Sequence, residues 1–396
     1  MWERIILHCD LNNFFASVTL LENQTLINLP VAICGSKAER HGIVLAKNEI
    51  AKKFGVKTAE AIWQAKQKCP DLITLPPDYE KYEQFSIAAR EIYARYTDKI
   101  EPFGIDECWL DVTGSTMLFG SGEEIAHKIR KDIKKELGIT ISVGVSFNKV
   151  FAKLGSDMKK PDAVTVISPE DFKEKIYSLP AGDLLFAGRK TAEKLNSVGV
   201  FTIGDLTLIP DETLSRVLGK NGTDLKRYAL GLDNSPVADM NAKTTPKSIG
   251  KSITGAEDFK NEDEVWQTML SLSEEISEKL RREGLYAGGV QVHIRDANLT
   301  TKEPCRSIKT PTMSATVIAE TALDIFRENY YWEIPLRSVG VRAINLKKDG
   351  GAEQTDIFSD AALSEKREKI EDSIHSIREK FGKTSLKRGT NVKNGG

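Results

Sequence analysis

Two adjacent carboxylates, Asp106 and Glu107, stand where a strand begins in the stretch Phe103-Gly104-Ile105-Asp106-Glu107-Cys108-Trp109-Leu110-Asp111-Val112-Thr113. From Cys108 onward the residues alternate with a period of two, as a half-buried strand does: Cys108, Leu110 and Val112 fall on one side, Trp109 and Asp111 on the other. The acids restrict the fold more than the strand does. Charges are seldom buried unless they pair or bind a metal, and neighbours on a regular strand face opposite ways. We therefore expect a local bend at Gly104 that lets both acids reach one site, and a third carboxylate from elsewhere. Asp10 supplies it, at the carboxyl end of the apolar run Arg4-Ile5-Ile6-Leu7-His8-Cys9-Asp10, which reads as a buried strand.

Three carboxylates from two strands fit a two-metal arrangement for phosphoryl or nucleotidyl transfer, and hard oxygen donors suit Mg2+. A structural ion-pair cluster or a calcium site would use the same residues. Zinc is not indicated, because the five cysteines, Cys9, Cys34, Cys69, Cys108 and Cys305, are scattered and form no ligand spacing. They read as reduced thiols, and with no apolar run long enough for a membrane span and no signal-like amino terminus the expected compartment is the cytoplasm. The net charge of -1 excludes bulk attraction to nucleic acid but not a local basic groove.

At 396 residues the chain calls for several domains. After Asp10, Asn12 or Asn13 can cap a helix whose first turn carries Phe14 and Phe15, and whose free N–H groups can hold an anion. Residues 30–76 read as a small α/β unit, with Lys47, Lys52 and Lys53 on or beside a helix over 48–54. Helices over 79–96, 124–137 and 147–158 surround strands at 103–113 and 139–145, an α+β layer with its helices on one face and the acids on the open side. Residues 169–233 are short and helical, with a helix-hairpin-helix-like pattern from Gly188 to Val200. A polar stretch with Pro236 and Pro246, 234–246, reads as a linker. Beyond it the order is β-α-β-β-α-β, followed by a polar tail with Gln354-Thr355-Asp356-Ile357-Phe358, a peptide-anchor pattern, and a charged helix over 366–381 with Ile370, Ile374, Ile377 and Phe381 in helical phase.

Three separated stretches, His8 to Val18, Phe103 to Val112, and Ser142 to Lys153 continuing through Lys159-Lys160-Pro161, resemble the Y-family translesion DNA polymerases in their DinB branch. The resemblance implies a multidomain α+β fold, a right hand plus a little finger. It places the palm in 1–13 and 80–168, the fingers in 14–79, the helical thumb in 169–233, the linker in 234–246, the little finger in 247–347 and the tail in 348–396. It further implies template-directed addition of deoxynucleotides to a primer end, with two Mg2+ ions held by Asp10, Asp106, Glu107 and the Leu11 carbonyl. Phe14 would offer its backbone N–H, and Lys52 and Lys160 their ammonium groups, to the incoming triphosphate. Phe15 falls at the steric gate that selects deoxynucleotides. Gln354, Asp356, Ile357 and Phe358 resemble the motif that binds the sliding clamp (its beta subunit). The implied partners are thus primer-template DNA, deoxynucleoside triphosphates and the clamp, with a monomeric enzyme and no membrane.

Three positions depart from the pattern. Glu49 and Lys52 stand where the family commonly has tyrosine and arginine, so Lys52 meets phosphate without bidentate geometry, and Glu49 is expected to turn away. Gly104 replaces a common serine. Rival readings are a non-catalytic scaffold that recruits replication proteins, which has no use for three converging acids, and a palm-fold cyclase, which a steric gate disfavours.

Overall fold

The computed structural model describes residues 2–36, 42–242 and 245–348, with 370–371, 373–374, 376–378, 380–382 and 385–386 of the tail. It forms two compact units, one within Met1–Gly35 and Gly42–Lys243, the other within Thr244–Gly396. The first begins with β1 (Ile6–Leu11), α1 (Phe14–Glu22), β2 (Val31–Cys34), β3 (Val44–Lys47), α2 (Glu49–Lys53), α3 (Ile62–Lys68), β4 (Ile73–Leu75) and α4 (Tyr79–Tyr93). It continues through β5 (Ile100–Pro102), β6 (Glu107–Asp111), α5 (Thr116–Phe119), α6 (Gly122–Leu137), β7 (Ile141–Ser146), α7 (Lys149–Met158) and β8 (Val164–Ile167). The short helices α8 (Phe172–Ile176), α9 (Arg189–Asn196), α10 (Ile203–Leu208), α11 (Asp211–Leu218) and α12 (Lys220–Ala229) close it.

Its main sheet has the order β5-β6-β1-β7-β8, with β1 antiparallel to both neighbours. One face follows the expected alternation: Leu7, Cys9, Leu11, Cys108, Leu110, Val143 and Val145 pack in one core with Ile125, Ile129 and Ile133 of α6 and Tyr82, Ile92 and Tyr93 of α4. The second face is not open. There α7 lies across the sheet, and Ala152 joins Ile6, Trp109 and Val237 in a smaller core. Gly144 makes this possible: a Cβ on it would fall 1.9 Å from the Ala152 carbonyl oxygen and 2.5 Å from the Ser156 nitrogen. The expectation of helices on one face therefore fails, because a missing side chain on β7 admits a helix on the other.

The unit over 30–76 is a three-stranded sheet, order β3-β2-β4, in which the parallel strand β4 and helix α3 were not anticipated. In the helical block the hairpin-like pattern is realised as α9 and α10 joined through Gly199, at φ 82°. The linker is only partly free. Val237 is buried, the Ala238 N–H donates to Glu101 Oε2 at 2.9 Å, and the Met240 N–H donates to the Asp98 carbonyl at 3.0 Å. Its first half belongs to the first unit because an apolar residue and two backbone donors find partners there.

The second unit runs β9 (Ile249–Phe259), α13 (Glu262–Glu283), β10 (Ala287–Asp296), β11 (Thr301–Lys302), β12 (Cys305–Thr312), α14 (Ala315–Asn329) and β13 (Leu336–Ile344). This is the expected β-α-β-β-α-β order with one extra short strand. The sheet has the order β11-β10-β13-β9, with β12 also pairing β10, and Met269, Ile276, Ile318 and Phe326 of the two helices fill its core. Among the described tail residues, Ile370, Ile377 and Phe381 of the apolar stripe are exposed and Ile374 is half-buried. Glu371 docks. Its carboxylate is buried and accepts from the Ser314 hydroxyl and from the Ala315 and Thr316 N–H groups at 3.0 to 3.1 Å, at the amino end of α14, where an anion is favoured.

Candidate active site

The sheet register brings the acids together. Asp10 pairs directly with Glu107 across β1 and β6, and residues opposite one another in an antiparallel pair share a face. Asp106 lies in the turn between β5 and β6, and its carbonyl accepts from the Leu11 N–H at 3.1 Å. The turn spans 103–106 as expected, yet Gly104 does not create it: its backbone is not left-handed, and a Cβ there would meet Asp106 Oδ1 at an ordinary 3.4 Å. Asp111 lies away from the cluster and holds Thr113 through its Oδ1, a structural role.

Helix α7 answers the acids with lysines. Lys153 Nζ donates to Asp10 Oδ2 at 3.1 Å and Glu107 Oε1 at 2.9 Å, and Lys160 Nζ, just beyond the helix, donates to Asp10 Oδ2 at 2.6 Å. Asp157 pairs with both, at 3.2 and 2.7 Å. Burial lowers the Lys153 ammonium, but Asp10, Asp157 and Glu107 raise it by more, so it stays charged. Burial raises Asp10, with Lys160 and Lys153 opposing. Glu107 is held below the usual carboxylate range: burial raises it, while the charge and hydrogen bond of the Lys153 ammonium lower it. Asp106 is pushed up to about 6 by burial and then by the charges of Asp10 and Glu107. His8, two residues before Asp10, is fully buried and kept neutral mainly by burial; its Nδ1 lies 2.9 Å from the Ser156 hydroxyl. Its Nε2 stands 3.6 Å from Glu107 Oε2, too far for a hydrogen bond.

Four carboxylates thus face two ammonium groups, an arrangement short of positive charge. Among the described residues no group of His, Cys, Asp and Glu is arranged as a ready metal cluster. The donor set is nevertheless hard oxygen with surplus negative charge, and Asp106 has no ammonium within bonding range, so the residues fit divalent cations.

Around the amino end of α1 the outcome is mixed. Neither asparagine caps the helix with its side chain. Asn12 ties β1 to its neighbours, its Nδ2 donating to the Ser142 hydroxyl and its Oδ1 accepting from the Asp162 N–H, both at 2.8 Å. Asn13 is the N-cap residue in left-handed conformation (φ 47°), and its Nδ2 donates to Glu49 Oε1 at 2.9 Å. Glu49 therefore does not turn away from this region, and it also takes Lys52 Nζ at 3.5 Å. Phe14 is core, whereas Phe15 is half-buried and stacked on Tyr82, with centroids 4.1 Å apart and planes 9° from parallel. Residues 354–358 lie outside the described residues. Sequence reasoning assigned no role to Lys153, Asp157 or Tyr82; the spacing of Lys153, Asp157 and Lys160 by four and then three was the available signal.

The impB/mucB/samB family pattern matches residues 9–157, and the C-terminal domain pattern of the same family matches residues 246–357. DNA polymerase IV of Acetivibrio thermocellus is 49% identical over 387 residues, 98% of this chain and 97% of the relative. DNA polymerase IV 1 of Bacillus subtilis is 35% identical over 395 residues, 99% of this chain and 94% of the relative. Among solved structures, a Y-family DNA polymerase chimera superposes with a TM-score of 0.78 at 25% identity, covering 87% of this chain and all of its own.

Proposed function

The chain belongs to the Y family of DNA polymerases, in its DNA polymerase IV branch, and from that premise we propose which of its residues carry out the chemistry. The activity is template-directed DNA synthesis of the translesion kind. The observation that supports the residue assignment is the convergence of Asp10, Asp106 and Glu107 at one end of β1, across from Lys153 and Lys160.

In this reading Asp10, Asp106, Glu107 and the Leu11 carbonyl hold two Mg2+ ions. Bound there, the ions supply activation of the primer 3′-hydroxyl and neutralisation of the departing pyrophosphate. Lys153 and Lys160 balance the acids otherwise, and Lys160 can swing from Asp10 to a triphosphate, a task for a compact ammonium on a flexible stem. Lys52 and the Phe14 N–H bind the same triphosphate. Phe15, its ring fixed by Tyr82, excludes a ribose 2′-hydroxyl.

The same reading divides the first unit into palm (1–13 and 80–168), fingers (14–79) and thumb (169–233), and makes 247–347 the little finger. It takes the protein to be a cytoplasmic monomer whose Gln354 to Phe358 engages the sliding clamp. Primer extension on a templated duplex with Mg2+ tests the assignment. The parent adds deoxynucleotides, and Asp106→Ala falls to background. Equal extension by both would refute the acid assignment, and no extension by the parent would favour the scaffold.

A further inference from the structure

Glu49 is the carboxylate that meets Lys52, a cation assigned above to the triphosphate. Helix α1 starts without a side-chain cap and with no acid in its first turn, so the positive end of its dipole has no negative side chain of its own helix beside it. The carboxylate that meets the N-cap side chain comes from another element. Glu49, the first residue of α2, accepts through one oxygen, Oε1, from Asn13 Nδ2 at 2.9 Å and from Lys52 Nζ at 3.5 Å. Asn13 is the residue that would otherwise cap α1, and here its side chain is turned outward to Glu49. Lys47, at the end of β3, adds a second cation nearby: burial and the charge of Lys52 lower its ammonium, while Glu49 raises it. A single carboxylate oxygen therefore links the N-cap residue of α1 to Lys52, while Lys47 Nζ donates to the Thr58 hydroxyl at 2.9 Å.

We propose that Glu49 is an internal stand-in for a nucleotide phosphate, holding Lys52 and Asn13 until a triphosphate displaces it, and so setting how tightly the triphosphate binds. This rests on the reading of Lys52, Lys160 and the start of α1 as the triphosphate site. Glu49 and Lys52 are both partly exposed, at 36% and 49%, so the pair can open without breaking a core. The phosphate has to compete with a carboxylate for Lys52 and approaches a like charge while doing so. The penalty is electrostatic and falls with salt.

The test is equilibrium binding of inorganic tripolyphosphate to the full chain at fixed Mg2+. Glu49→Gln keeps an acceptor oxygen for Asn13 and removes the charge. Its dissociation constant is expected to fall about three- to tenfold, the scale of an exposed charge pair together with relief of a like charge, and the gap should narrow in about 0.5 M salt. Equal or weaker binding than the parent would overturn the proposal and leave Glu49 a structural clip. If Glu49→Gln does not fold, Glu49→Ala is measured with the same expected direction. Lys160→Ala tests the underlying reading separately: unchanged tripolyphosphate binding by that variant means the site itself is misassigned, whatever Glu49 does.

Discussion

At the scale of single residues, the site is under electrostatic strain that a metal would relieve, and Asp106 shows it most directly. Its carboxyl is pushed up to about 6, by burial first and then by Asp10 and Glu107, from the 3.8 of an unperturbed aspartate. The fold thus prefers Asp106 protonated. A raised acid contributes stability that is fully present below its unfolded value and lost as pH rises through the folded one, so at neutral pH the ionised group costs stability, on the order of 1–3 kcal/mol. Removing the charge should help the metal-free protein. Asp106→Asn is expected to melt higher than the parent at about pH 7.5 without divalent cations, with the difference shrinking toward about pH 4, where both side chains are uncharged. Mg2+ should raise the melting temperature of the parent and do less for the variant. Thermal unfolding with and without chelator reads all three, and a metal-free variant less stable than the parent at neutral pH would remove the strain argument. The acids themselves were legible in sequence because two adjacent carboxylates before an apolar strand have few uses. Their partners were not, since Lys153 is one of many helical lysines until α7, packed across the sheet, brings it to Asp10 and Glu107.

At the scale of elements, the site exists because α7 approaches the sheet closely enough to bring Lys153 over the acids. That approach depends on β7. A Cβ at Gly144 would lie 1.9 Å from a carbonyl oxygen and 2.5 Å from a backbone nitrogen of α7, and backbone cannot rotate aside as a side chain can. Overpacking of a core costs about 1–3 kcal/mol where side chains yield. Gly144→Ala should exceed that, losing more than about 3 kcal/mol in denaturant unfolding. Gly114→Ala, where nothing lies within 4 Å, should stay within about 0.5 kcal/mol of the parent. Comparable midpoints for the two would mean that α7 shifts freely and the contact does not fix the site. The sequence could place α7 by its periodicity, but its face on the sheet turned on the absence of one side chain, and a lone glycine in a strand carries several meanings. The strands and helices of the second unit were easier to anticipate, because each long amphipathic segment there has one apolar face and one solvent face. The parallel strand β4 was not, being three residues long and half-buried along its length.

At the scale of the whole molecule, the order of the second unit's elements was readable while the attachment of the tail was not. Apolar periodicity put Ile370, Ile374, Ile377 and Phe381 in helical phase, yet the buried contact is Glu371, whose carboxylate satisfies the first N–H groups of α14. A single charged residue meeting a helix end has no periodic signature in sequence. The consequence concerns the segment that carries Gln354 to Phe358. Before it, Lys347 pairs with Tyr286, and after it Glu371 meets the start of α14. If Gln354 to Phe358 engages the clamp as proposed, clamp capture raises the effective concentration of enzyme at the primer end without adding any contact to DNA. The anchor side chain in such a peptide is the aromatic one that fills a groove. The ratio of primer extension with clamp to extension without it is therefore expected to be well above one for the parent and to fall to about one for Phe358→Ala, because loss of a hot-spot aromatic costs about 2 kcal/mol or more of binding. A ratio in Phe358→Ala equal to that of the parent would place the clamp contact elsewhere on the chain.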